Sequence, residues 1–263
     1  MHSAMSQTLP SALKRLDAIK NSLKNKQVII FLDYDGTLTP IVERPEWAQL
    51  SQNMRSAVRG LSKKYRVAII SGRDLQDIRN LVALEGLLYA GSHGFDISGP
   101  DGDMELQQGA EYLPALERAE KTLTKALVEI PGTQVERKKF AIAVHFRRAD
   151  LKDIPSVESI VDTIVAKTPG LRKTGGKMIF ELRPDIDWDK GKALHWILTQ
   201  LGMDGDNVCP IYIGDDLTDE DAFCALQTRG LAILVSNEQR LTAAGYLLKD
   251  PQEVGQFLER LKA

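Results

Sequence analysis

Residues 28–32, Val-Ile-Ile-Phe-Leu, are five apolar residues in a row, three of them β-branched. So short and apolar a run reads as a strand buried on both faces, as in a parallel sheet covered by helices. It stops at Asp33-Tyr34-Asp35-Gly36-Thr37. Two carboxylates at the tip of a buried strand are costly to desolvate unless a cation or a basic side chain sits with them. Open α/β sheets bind ligands beyond the carboxyl ends of their strands, so a metal site there accounts for the pair. A plain Asp-Gly turn is the competing reading, and for an isolated Asp-Gly it is the better one. The rest of the chain must decide.

Helical spacing covers 9–23, with Leu9, Leu13, Leu16, Ile19 and Leu23 on one face. After the first strand come a helix over 52–65, a strand over 67–70 ending at Ser71-Gly72-Arg73, a helix over 74–84, and a short strand at 89–94 ending in Ser92-His93-Gly94. This alternation predicts a Rossmann-like doubly wound parallel sheet, class α/β. Past Gly99 the rhythm breaks, with a turn at 100–103, an amphipathic helix over 112–128, a strand over 140–147, a helix over 155–167 and a strand over 178–182. It resumes with a helix over 192–201, a strand over 208–213, a helix over 219–226, a strand over 231–235 and a helix over 251–261. The expected organisation is a discontinuous core, 1–108 and 184–263, with an inserted α+β domain at 109–183.

A net charge of −2 in 263 residues gives no reason to expect a polyanionic partner. The basic clusters Arg137-Lys138-Lys139 and Arg147-Arg148 are too short for a nucleic-acid surface. Cys209 and Cys224 make no disulfide framework, which suits a reducing cytosol, and both are expected to be buried. Residues 1–11 lack a signal pattern and no apolar run reaches membrane-spanning length, so a soluble, cytoplasmic, monomeric protein is expected.

Polar chemistry gathers at four strand ends or following loops: Asp33/Asp35, Ser71, Lys190, and Asp215/Asp216 with Asp219. Two carboxylate clusters from separate strands supply the oxygen ligands that Mg²⁺ takes, one or two at a time, alongside water and substrate phosphate. Lys190, the Ser71 hydroxyl and the backbone N–H groups around Gly36 suit a phosphate substrate. In order along the chain these residues resemble the four motifs of the haloacid dehalogenase superfamily of phosphohydrolases, whose C2-type caps are inserted between the second and third. Phe31 to Val42, Tyr89 to Gly94, Trp188 to Leu194 and Gly214 to Asp221 are similar to the trehalose-6-phosphate phosphatases, the plant form especially. The likeness runs from about Pro10 to the end. Many relatives carry a trehalose-phosphate synthase domain in front, and here a separate synthase is expected to deliver the substrate.

The resemblance implies that Asp33 attacks phosphorus, that Asp35 serves as acid and then base, and that Ser71 and Lys190 complete the catalytic set. It assigns Mg²⁺ to Asp33, the Asp35 carbonyl and Asp215, with Asp216 and Asp219 holding metal-bound waters or Lys190. For the sugar phosphate it implies Gly36, Thr37, Gly72, Arg73, His93 and Gly94 in the core, and Glu136, Lys138, Arg147, Lys177 and Glu181 in the cap. Read by themselves, residues 136–139 are a solvated charge run, Arg147 and Glu181 are strand-end residues able to pair with each other, and His93 is a turn residue. Met178 departs from a second basic residue expected beside Lys177. The alternatives are another sugar phosphatase (sucrose-phosphate or glycosyl-glycerate phosphate), a receiver-type domain, or a homologue that binds sugar phosphate without hydrolysing it. Asp35 argues against a receiver, which needs no general acid.

Overall fold

The computed structural model describes residues 9–100, 102, 104–176 and 178–263. Two compact units result, one from the chain up to Leu106 with Trp188–Ala263, the other from Gln107–Asp187. The turn expected at 100–103 falls partly outside the described residues, as do residues 1–8 and Lys177.

The first unit is built on β1 (Gln27–Leu32), β2 (Arg66–Ile70), β3 (Leu88–Gly91), β4 (Asp96–Ser98), β5 (Glu105–Gln107), β10 (Val208–Gly214), β11 (Leu231–Val235) and β12 (Tyr246–Leu248). Their spatial order is β12-β11-β10-β1-β2-β3-β4-β5, parallel from β12 to β3 and antiparallel between β3 and β4. This is the doubly wound α/β sheet expected. The chain winds outwards from β1 through β2 and β3, then returns on the other side of β1 with β10. The switch between β1 and β10 opens the crevice in which such sheets place ligands.

Side chains of β1 alternate between two layers. Val28, Ile30 and Leu32 join α1 (Leu16–Ser22), α2 (Gln52–Ser62), α3 (Leu75–Val82) and α8 (Pro251–Lys262). Ile29 and Phe31 face α6 (Lys190–Gln200) and α7 (Glu220–Leu226). Both faces are thus dry, which is why the strand reads as an unbroken apolar run.

The second unit is a four-stranded antiparallel sheet in the order β6 (Gln134–Lys138), β7 (Ala141–His145), β9 (Ile179–Pro184) and β8 (Leu171–Gly176). Helices α4 (Leu113–Leu127) and α5 (Ile154–Ala166) pack against one face through Ile142, Val144 and Leu182.

Several expectations are corrected. The first helix starts at Leu16, because Ser11 bridges to Leu247 beside the sheet edge and Ala12 N–H bonds the Leu247 carbonyl. Strands β6 and β8 replace the charge run and the unassigned stretch; Glu136 and Lys138 lie on the face that no helix covers, while Arg137 and Lys173 turn to the other face and pair with Glu120 of α4 and with Glu158 and Asp162 of α5. Cys224 is exposed on α7 rather than buried.

Ile211, in the middle of β10, is fully buried. Ile211→Ala is expected to cost about 2–5 kcal/mol, read as a lower urea midpoint at constant m. A loss below about 1 kcal/mol would contradict its place in the core.

Candidate active site

Residues at the ends of β1 and β10 meet at the switch point. Leu32 lies beside Ile213, and Asp33 N–H donates to the Ile213 carbonyl at 3.0 Å. Lys190, at the start of α6 and 2% exposed, reaches across to both sides. Its Nζ donates to Asp33 Oδ1 at 2.8 Å and to Asp219 Oδ1 at 2.6 Å. Tyr212, buried on β10, donates its hydroxyl to the same Asp219 oxygen at 2.7 Å. Asp219 Oδ2 accepts the Asp216 N–H at 2.9 Å. Both oxygens of Asp219 are therefore engaged within the protein.

One oxygen each from Asp33, Asp215 and Asp219 lies within 4.8 Å of the others, a spacing that could hold a cation. Burial, then the Asp219 and Asp216 charges, push Asp215 up to about 7, with Lys190 and the Thr37 bond opposing. Burial also holds Asp33 well above the usual carboxylate range, Lys190 pulling it down while Asp219 and Asp215 push it up. Burial works against the Lys190 charge, but Asp219 and Asp33 outweigh it and raise its pKa. A single ammonium thus faces three clustered carboxylates. That all-oxygen, charge-rich donor set fits a hard divalent cation.

The glycine-threonine step after Asp35 serves this packing. Gly36 has φ +87°, and a Cβ there would collide with the Asp215 carboxylate. Its own N–H donates to the Thr39 carbonyl at 2.8 Å. Thr37 Oγ1 donates to Asp215 Oδ1 at 3.4 Å. Asp216 is exposed and makes no bond to Lys190.

Ser71 is buried at the tip of β2, where its Oγ accepts the Arg73 N–H at 3.1 Å. Asp35 accepts from Arg73 at both oxygens, each at 2.7 Å. Ser92 and His93 both take left-handed backbone, φ 49° and 58°, uncommon for residues with a Cβ and a form of strain that gathers at functional sites. The turn is held by His93 N–H on the Ser71 carbonyl at 2.8 Å and by Ser92 Oγ on Asp74 Oδ1 at 3.0 Å. A Cβ on Gly72 would lie 2.8 Å from the His93 ring. Gly94 has φ +91° and packs against Ala193 of α6, while its carbonyl accepts the Trp188 indole N–H at 2.9 Å.

In the second unit, Glu136, Ala143, Glu181 and Thr174 form one row across the sheet. Alternation puts them on the face opposite α4 and α5. Lys138 Nζ donates to Glu181 Oε1 at 2.9 Å, and His145 Nε2 lies 2.7 Å from Glu136 Oε2, a bond that lowers the Glu136 pKa. Glu181 is thus a mid-strand partner of Lys138, not a strand-end residue. Arg147 is exposed beyond the end of β7. Sequence reasoning missed Tyr212, an aromatic in an apolar strand with no outward mark of a polar task, and His145, the last residue of β7, which meets Glu136 of the charge run only across the sheet.

Residues 31–252 match the trehalose-phosphatase family model. The chain belongs to the trehalose-phosphatase family. It is 44% identical to trehalose-phosphate phosphatase B of Arabidopsis thaliana, over 96% of this chain and 71% of that one. It is also 44% identical to trehalose 6-phosphate phosphatase RA3 of Zea mays, over 96% and 74%. The crystal structure of a trehalose-6-phosphate phosphatase related protein superposes with TM-score 0.78 at 27% identity, covering 89% of this chain and 96% of that one. The C-terminal domain of trehalose-6-phosphate phosphatase from C. albicans shares the fold, with TM-score 0.82 at 24% identity over 97% and 99% of the two chains. Among the described residues no helix is long and apolar enough to cross a membrane.

The raised Asp215 gives a sign that can be checked. With its folded pKa at about 7, the metal-free folded state keeps a proton that the unfolded chain releases at about 4. Stability is therefore lost as pH rises between these values and levels off above them. In chelator, the stability advantage of Asp215→Asn over wild type is expected to widen as pH rises from about 5 to about 7. A constant gap would contradict the crowded cluster.

Proposed function

We propose that this chain hydrolyses trehalose 6-phosphate to trehalose and inorganic phosphate. The carrying observation is the buried Asp33–Lys190–Asp219 chain at the β1/β10 switch point, in a member of this family. Lys190 takes only Oδ1 of Asp33, and among the described residues no bond engages Oδ2, which is left to attack phosphorus. A bond forms between Asp33 and phosphorus while the bond from phosphorus to the sugar oxygen breaks. Asp35 gives that oxygen its proton, then takes one from the water that attacks phosphorus and releases phosphate from Asp33. Lys190 offsets charge on the carboxylate and the phosphoryl oxygens, and Ser71, with Oγ free to turn its proton outward, donates to one of them.

Asp33, Asp215 and the Asp35 main-chain carbonyl would hold Mg²⁺. With both its oxygens engaged, Asp219 acts instead as the partner that keeps Lys190 charged and aimed. When bound, Mg²⁺ neutralises phosphoryl charge and helps to orient the ester. The second unit acts as the cap, its Glu136, Lys138, Arg147, Lys177 and Glu181 meeting sugar hydroxyls. Groups already paired to one another reject a sugar that cannot replace those bonds. A cytosolic setting and a trehalose-phosphate synthase as supplier complete the reading.

Phosphate release measured with Mg²⁺ on trehalose 6-phosphate, sucrose 6-phosphate and glucose 6-phosphate tests the assignment. Trehalose 6-phosphate is expected to lead in kcat/KM by about 100-fold or more. Asp33→Asn is expected to remove turnover with an unchanged circular dichroism spectrum. Equal rates on all three sugars would remove the trehalose assignment, and turnover by folded Asp33→Asn would remove the nucleophile.

A further inference from the structure

Arg73 follows Ser71-Gly72 at the tip of β2, and only 12% of its side chain is exposed. Nε donates to Asp35 Oδ2 and Nη2 to Asp35 Oδ1, each at 2.7 Å, the two-point fork arginine makes with a carboxylate. Other contacts hold the guanidinium independently of Asp35. Nη1 donates to Asp77 Oδ2 at 3.1 Å in the first turn of α3, and Nη2 also reaches the Pro45 carbonyl at 2.8 Å. The guanidinium carbon lies 5.5 Å from the Tyr34 ring centroid, and Tyr34 is pinned by its hydroxyl on the Ala48 carbonyl at 2.7 Å. All but one of the arginine N–H donors are thus used inside the protein. Such a residue is built to hold something still, not to receive a substrate.

We infer that Arg73 is the positioning residue of Asp35 and works through an asymmetric fork, with Nε–Oδ2 a fixed pivot and Nη2–Oδ1 an exchangeable bond. The inference rests on the reading of Asp35 as acid and base. Nη2 holds the Pro45 carbonyl with its other N–H, so it stays anchored when Oδ1 turns away and gives up only the one N–H that faced Oδ1. Nε has no other acceptor among the described residues, so Oδ2 stays and the carboxylate keeps its aim. Oδ1 then carries its proton to the sugar oxygen as the bond from phosphorus to that oxygen breaks. In the second step it takes the proton of the water whose oxygen bonds to phosphorus as the Asp33 ester breaks. A lysine cannot substitute, because an ammonium is a point charge without the paired, coplanar donors of the fork.

The test compares wild type, Arg73→Lys and Asp35→Asn on trehalose 6-phosphate and on p-nitrophenyl phosphate, whose nitrophenolate departs without needing a proton. Steady-state kcat and KM are measured on the first, and the rate of first-turnover nitrophenolate release on the second. Both variants are expected to lose about 100-fold or more in kcat on trehalose 6-phosphate. KM is expected to stay near the wild-type value, and first-turnover nitrophenolate release to keep near its wild-type rate. Arg73→Gln gives the same comparison should the lysine variant not fold. A loss of first-turnover nitrophenolate release as large as the loss of kcat on trehalose 6-phosphate would mean a merely structural role and overturn the inference. So would a raised KM at constant kcat, which marks a substrate contact, or wild-type behaviour of Arg73→Lys, which marks charge alone. If Asp35→Asn itself spares trehalose 6-phosphate, the acid-base reading of Asp35 fails, whatever Arg73 does.

Discussion

One buried ammonium holds this fold's working end together. Lys190 sits between Asp33 at the end of β1 and Asp219 beyond β10, both nearly inaccessible to water. Removing the lysine would be costly, because Asp33 and Asp219 would be left buried with neither water nor a counter-charge. The surroundings are shaped by this pairing. Tyr212 spends its hydroxyl on Asp219, and Gly214 is a glycine where a Cβ would collide with the same carboxylate. Gly36 gives way to Asp215 on the other side. The parallel sheet supplies the rigidity, since β1 and β10 are neighbours in register and both are dry on their two faces.

What could be read in the chain follows from burial. β10 and β11 are nearly all apolar, as are β1 and β2 after the exposed Gln27 and Arg66, so their existence and their tips at Asp33, Ser71 and Asp215 were legible. β6, with Glu136 and Lys138 on its uncovered face, was not, because one polar face and only one apolar residue make a strand look like a solvated loop. β8, Leu-Arg-Lys-Thr-Gly-Gly, fails for the same reason. Within the site, residue types at strand ends announced themselves, whereas the tasks of Gly36, Arg73 and Tyr212 depend on which neighbour the fold delivers. Gly36 is the clearest case: Asp-Gly-Thr reads as a phosphate cradle, yet its N–H closes the loop on Thr39 and its missing Cβ makes room for Asp215.

The proposed function divides the chemistry between the two units. Carboxylates crowded around one lysine form a site that any phosphate ester could use. In the antiparallel sheet, Lys138–Glu181 and His145–Glu136 pairs flank the small Ala143, where the proposed function puts substrate choice. A pair of that kind is satisfied on its own and yields only to a ligand that offers donors and acceptors in the same places. Strain at Ser92 and His93, held by bonds to Ser71 and Asp74, keeps a further turn fixed beside the catalytic strand ends.

The central claim is that Asp33 becomes covalently phosphorylated during turnover. Rapid quench of wild type with trehalose 6-phosphate, borohydride reduction and peptide mass spectrometry test it directly, since reduction of an aspartyl phosphate leaves homoserine. The account predicts homoserine at residue 33 and nowhere else. Turnover that leaves residue 33 as aspartate under every quench time, with homoserine at another position or at none, would contradict it.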